Sequence, residues 1–138
     1  MAAKDSIHDA VKQALIKDGW TVTHDPYTIA YQGEYAYADL AAERPFAAER
    51  AGQKIIVEVK SFTGPSTIHD FKAALGQYMF YLPLLTEVAP GYKLYLAVSD
   101  VAYATDFQRK MVQFVIEHDQ IPLIVVNLEL EEIVQWIN

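Results

Sequence analysis

An α/β domain, one mixed β-sheet flanked by helices, is what three features of this sequence predict together. Apolar residues recur first at helical spacing, then in short β-favouring runs as far as Val59, and then in alternating helical and extended segments. The most strand-like run, Ile55-Ile56-Val57-Glu58-Val59-Lys60, lies mid-chain, where a central strand belongs. With 138 residues, 52% of them hydrophobic, the chain has enough apolar material for a single domain over 1–138 with one core.

The elements follow in order. Ile7, Val11, Ala14 and Leu15 form one face of a helix that starts at Asp5 or Ser6 and stops at Gly19. Trp20 to Thr23 is a short strand ending before Asp25-Pro26, and Tyr27 to Tyr37 is aromatic and β-branched with a turn at Gly33. Ala47-Ala48-Glu49 and Lys54 to Ser61 read as the arms of a hairpin across Arg50-Ala51-Gly52-Gln53. Gly64-Pro65-Ser66 breaks the chain before a crossover helix marked by Ile68, Phe71, Leu75, Tyr78, Met79 and Leu82, which ends or kinks near Pro83. Lys93 to Val98 is a buried strand, and Thr105 or Asp106 caps a helix with Phe107, Met111, Phe114 and Val115 on its apolar face. Leu123 to Val126 is a further strand, and Glu132 to Ile137 a last strand or tail.

Composition excludes several classes of function. There is no Cys, so disulfides, zinc–thiolate clusters and thiol nucleophiles are out, and any chemistry uses carboxylates, His, Lys or hydroxyls. The charged first stretch, Met1 to Lys17, is unlike a signal peptide, and no run approaches the roughly 20 apolar residues that span a bilayer, so a cytoplasmic protein without a membrane partner is expected. A net charge of −7 argues against a broad basic face for nucleic acid. The acidity is uneven: the five acids after Lys110, where no Lys or Arg occurs, leave −2 for residues 1 to 110, so a local DNA site in that part survives the charge test. P-loop, G-x-S-x-G and G-x-G-x-x-G patterns are absent.

Glu58 and Lys60 stand two apart in an apolar run and so share one strand face. Burying such charges costs several kcal/mol, roughly, unless they are paired, metal-bound or at an open end. An ion pair at the strand end is one account. The other includes Asp39, 19 residues upstream of Glu58. Phosphodiester hydrolysis uses a divalent cation, and Mg²⁺, or Mn²⁺ in its place, takes one or two carboxylates plus further oxygens. Asp39, Glu58 and the Val59 carbonyl are the candidate metal ligands, and Lys60 the group that orients water or meets charge developing on phosphorus.

Asp39 with Glu58-Val59-Lys60 resembles the D and E-x-K elements of the PD-(D/E)xK nuclease superfamily, with Ala38 where a Pro often precedes the Asp. In the following helix, Gln77-Tyr78-Met79-Phe80-Tyr81 resembles the Q-x-x-x-Y motif of its RecB-like branch. That resemblance implies a restriction-endonuclease-like fold and adds Gln77 and Tyr81 as site-supporting residues. Across the whole chain, stretches such as Ala14-Leu15-Ile16-Lys17-Asp18-Gly19-Trp20, Thr23-His24-Asp25-Pro26, Glu58-Val59-Lys60-Ser61-Phe62 and Ala74-Leu75-Gly76-Gln77 resemble the XisH family. This second resemblance implies a controlling factor for excision of the fdxN element during heterocyst differentiation, paired with a XisI-like protein.

Two functions follow as expectations. One is a Mg²⁺-dependent DNA endonuclease. The other is a catalytically silent accessory protein that keeps the fold and regulates a site-specific recombinase by contact; the acidic stretch after Lys110 motivates it. Whether the chain is a monomer or a homo-oligomer stays open. His8, His24, His69 and His118 lack metal-ligand spacing and read as exposed or hydrogen-bonded, with His8 and Asp9 held in reserve as first-helix residues near a metal. The nine Tyr read chiefly as core packing.

Overall fold

The computed structural model describes residues 6–44 and 52–138. Within them the chain runs α1 (His8–Lys17), β1 (Thr21–His24), β2 (Tyr27–Tyr31), β3 (Glu34–Ala38), β4 (Leu40–Arg44), β5 (Gln53–Val59), α2 (Thr67–Val88), β6 (Lys93–Ser99), α3 (Asp100–Ala104), a 3-10 turn (Asp106–Gln108), α4 (Lys110–His118), β7 (Leu123–Asn127) and β8 (Glu132–Ile137). Six strands form one sheet in the order β1-β4-β5-β6-β7-β8, and β2 and β3 form a separate hairpin. The pairings β5·β6 and β6·β7 are parallel and the other three antiparallel, so the sheet is mixed and helices cover it, as expected of a restriction-endonuclease-like α/β fold.

Strand alternation assigns the two cores. On β5, Ile55, Val57 and Val59 face α1, where they join Val11, Ala14, Leu15 and Trp20. Ile56 faces the other way, with Phe71, Ala74, Tyr78 and Leu85 of α2 and Phe107 and Val112 beyond it. Glu58 shares the parity of Ile56 and is therefore turned to the α2 side.

Local signals end the elements where stereochemistry requires it. Gly19, at φ +93°, closes α1 in a left-handed cap in which Trp20 N–H reaches Leu15 O at 3.0 Å and Gly19 N–H reaches Ile16 O at 3.1 Å. The hairpin turns on Gln32 and Gly33, both at positive φ (47° and 84°), the geometry of a two-residue hairpin loop. Ser66 caps α2 by accepting from His69 N–H at 3.2 Å.

Several expectations are corrected. The first helix begins at His8, with Ile7 at the cap position and no side-chain cap bond. The strand paired with β5 is Leu40–Arg44, while Ala47-Ala48-Glu49 falls outside the described residues. Pro83 does not end α2: the helix continues to Val88, because Pro83 and Met79 both lie at the surface, where water satisfies the carbonyl that Pro83 cannot serve. The segment after β6 is not one helix from Thr105 but α3, a 3-10 turn and α4, since Ser99 caps a new helix through Ala102 N–H at 3.0 Å. Breaking the helix resets its phase, so Val112 is buried and the expected core residues Met111 and Phe114 are 72% and 68% exposed.

Pro83→Ala restores an N–H inside an exposed stretch of helix. It should raise the unfolding free energy in urea by about 1–3 kcal/mol; an unchanged or lower value would mean that the helix draws no strain from Pro83.

Candidate carboxylate site

The carboxyl ends of the parallel strands β5, β6 and β7 lie together, the end of a mixed sheet where ligands are most often held. Glu58 is found there, 4% exposed, with Lys60 just past the strand. Asp39 reaches the same place because it is the bend between β3 and β4: register pairs Leu40 with Val57, so Asp39 falls opposite Glu58.

Two hydrogen bonds lock this junction. Val59 N–H donates to Asp39 Oδ2 at 2.7 Å, and Asp39 N–H donates to Glu58 Oε1 at 3.2 Å. Asp39 is thus held twice, by its side chain and by its own backbone. A strand residue turns its N–H and C=O to the same edge, so the Val59 carbonyl faces the Asp39 side. Lys60 N–H donates across the other edge to Ala97 O at 3.1 Å, which fixes its backbone. Lys60 is not a member of the ion pairs formed between described residues.

From α2, Tyr81 donates its hydroxyl to Tyr37 O at 2.9 Å, two residues before Asp39. Burial, together with the negative charges of Glu58 and Asp39, pushes the Tyr81 phenol up to about 12, so it stays a donor at all ordinary pH values. Gln77, one turn earlier, is exposed on α2. The sheet and helix therefore bring Asp39, Glu58, Val59 and Tyr81 together, with Lys60 at the strand end and Gln77 on the exposed side of α2.

The donor set is all oxygen: two carboxylates and a backbone carbonyl. Among the described residues no group of three or more His, Cys, Asp or Glu side chains could hold a metal. Carboxylates and a backbone carbonyl are the ligand types that Mg²⁺ or Mn²⁺ takes.

The first-helix residues held in reserve are engaged differently. His8 Nε2 and Lys12 Nζ both contact the Asp25 carboxylate, at 2.7 Å and 2.8 Å, while Asp9 is exposed. Burial alone would raise the Asp25 carboxyl, but the Lys12 and His8 contacts outweigh it and hold it below its ordinary value. This cluster pins α1 to the end of β1; the sequence offered no signal for it, because it closes over 17 residues through the fold. His24, His69 and His118 are exposed.

The whole chain has relatives. It matches the family model described as XisH protein over residues 1–134. It is similar to the crystal structure of an XisH family protein from Nostoc punctiforme PCC 73102, at 41% identity and a TM-score of 0.87, covering 97% of this chain and 100% of that one. It is also similar to a fdxN element excision controlling factor protein from Anabaena variabilis, at 44% identity and a TM-score of 0.85, covering 96% of this chain and 98% of that one. No curated protein matches.

Tyr81 and Tyr78, whose phenol burial also pushes up to about 12, keep protons that the unfolded chain loses near pH 10. Their contribution is fully present below pH 10 and is lost as pH rises towards 12. Urea unfolding should show stability falling through that window. Tyr81→Phe should flatten the fall and, near neutrality, cost about 1 kcal/mol for the lost bond to Tyr37 O; an equally steep fall would rule Tyr81 out as a source.

Proposed function

The chain belongs to the XisH family, and we propose that it controls DNA-element excision as a divalent-metal-dependent DNA endonuclease of the PD-(D/E)xK kind, acting with a XisI-like partner. The role in excision is carried over from the description of the Anabaena variabilis relative. The observation that carries the chemistry is Glu58: a carboxylate 4% exposed on a central strand, with Asp39 hydrogen-bonded against it and Lys60 two residues on.

In this reading Asp39, Glu58 and the Val59 carbonyl hold Mg²⁺ or Mn²⁺. When bound, the cation polarises a phosphate and lowers the pKa of a water. The protein's own groups do the rest. Glu58 and Asp39 are already oriented by the bonds at the junction, so little freedom is lost on binding. The Lys60 ammonium meets the negative charge that develops on phosphorus as water attacks and the P–O bond opens. Tyr81 keeps the β3–β4 bend in place through Tyr37 O, and Gln77 offers its amide to the DNA strand from α2.

A second reading, a silent accessory protein that binds its partner or a recombinase, is favoured by one observation. Met111 and Phe114 lie open on α4, in the part of the chain that has acids but no Lys or Arg.

Calorimetric titration of Mg²⁺ and Mn²⁺ should show binding that Asp39→Asn and Glu58→Gln each weaken at least about tenfold, since each removes a charge but keeps an oxygen for the N–H it serves. Lys60→Ala should leave metal binding intact and slow nicking of supercoiled or branched DNA by roughly 100-fold or more. Metal affinity untouched in both carboxylate variants would sink the enzyme reading. No nicking under any condition, with a partner complex that Phe114→Ser abolishes, would establish the second.

A further inference from the structure

Along α4, Met111, Phe114 and His118 follow one another at spacings of three and four and so lie on one face. All three are open to solvent: Met111 is 72% exposed, Phe114 68%, and the His118 side chain 70%. Two of them are already stacked, with the Phe114 and His118 rings 5.8 Å apart and 26° between their planes. The opposite face of the same helix, through Val112, is buried in the core. An open stripe at three-and-four spacing is the seam that a second helix covers.

The charges along α4 select that helix. Arg109 stands at the N-cap and Lys110 opens the helix with no acid in the first turn, while Glu117 lies in the last turn and Asp119 at the C-cap. This order is the reverse of what the helix dipole favours. The ion pairs formed between described residues take in neither Arg109, Lys110 nor Glu117. Lys110 and Glu117 are seven apart and therefore flank the seam on the same side. An antiparallel copy of α4 laid along the seam, with the two-fold axis near Phe114, brings its Glu117 to Lys110 and its Lys110 to Glu117. Its dipole also runs the opposite way. One arrangement thus offsets both unfavourable features and sets Met111 of each copy against the Phe114–His118 stack of the other.

We propose that α4 is a self-association face: two copies of the chain pair through antiparallel α4 helices, with Met111, Phe114 and His118 in the seam and Lys110 joined to Glu117 across its rim. This goes beyond both functional readings and rests on neither metal nor DNA. The net charge of −7 sets the copies against each other at long range, but that repulsion is screened beyond about 8 Å at physiological salt, whereas the rim pairs act at contact. A nine-residue helix offers less contact than the roughly 800 Å² per partner of a standard interface. The dimer is accordingly a weak one, with a Kd on the order of 10 μM.

Sedimentation equilibrium of the full chain in about 0.15 M salt, from roughly 1 to 500 μM, tests this. The chain should pass from monomer to dimer within that range. Phe114→Ala, at an exposed position, should raise Kd roughly 30-fold or more. Lys110→Glu and Glu117→Lys each set like charges face to face twice across the axis and should raise it roughly 5- to 30-fold. The double variant, and an equal mixture of the two single variants, should pair as well as the native chain, a rescue that a role within one copy would not give. Near-UV circular dichroism checks that each variant keeps its packing. A chain that stays monomeric throughout the range would overturn the proposal. So would a dimer indifferent to Phe114→Ala, which would put the interface elsewhere, or charge variants that neither the double variant nor mixing restores, which would rule out antiparallel pairing. A native monomer whose complex with a XisI-like protein is lost in Phe114→Ala would overturn it as well and give the face to that protein.

Discussion

Where the chain leaves the β2–β3 hairpin for the main sheet, side chains take over the hydrogen bonding that ladder groups supply elsewhere. Asp39 accepts the Val59 N–H at 2.7 Å while its own N–H is taken by Glu58 at 3.2 Å. The exchange ends the β4–β5 ladder, bends the chain at Asp39 and fixes Glu58 in one orientation. An unsatisfied N–H at this depth would cost about 1–3 kcal/mol, so the hairpin's direction, the strand end and the carboxylate geometry stand or fall together.

The helix α2 ties this junction to the rest of the molecule. Its buried stripe, Phe71, Ala74, Tyr78 and Leu85, packs on the sheet face that also carries Glu58. Tyr78 donates to Leu94 O at 3.2 Å and Tyr81 to Tyr37 O at 2.9 Å, so one turn of helix grips both the parallel core and the hairpin. Phe80, between them in sequence, lines an open groove against the β2–β3 hairpin. Because side chains 78, 80 and 81 leave a helix in different directions, a single turn serves core, groove and carboxylates at once. No helix of the described residues is long and apolar enough to cross a membrane, and the apolar content goes instead into the two cores on either side of the sheet.

Much of this was legible in the residues themselves. The apolar run Ile55–Val59 marked a central strand, and two-residue spacing put Glu58 and Lys60 on one face; the helical spacing of Ile7, Val11, Ala14 and Leu15 marked the face that α1 buries. Gly33 marked the hairpin turn. Other features were hidden for identifiable reasons. Apolar spacing across Phe107, Met111 and Phe114 suggested one helix, but Ser99 and the 3-10 turn divide the segment and change which residues face inward. Pro83 reads as a terminator in any window, and only its position at the surface lets the helix continue. The tyrosines divide between fates that composition does not separate: Tyr78 and Tyr95 are buried, while Tyr31 and Tyr35 line the groove.

Local rules act over a few residues, and within that range the sequence alone determined α1's buried face, the turn at Gly33, the strand β5, and the conflict of a charged pair inside an apolar run. It also placed Asp39 before the strand as a candidate partner for Glu58. What the tertiary structure decided is whatever depends on two segments meeting: the reciprocal bonds of Asp39 with Glu58 and Val59, the link of Tyr81 to Tyr37, the His8–Asp25–Lys12 cluster, and the aromatic groove. Those contacts close over 13 or more residues, and their geometry comes from sheet register and helix packing, which no local pattern of residue types encodes.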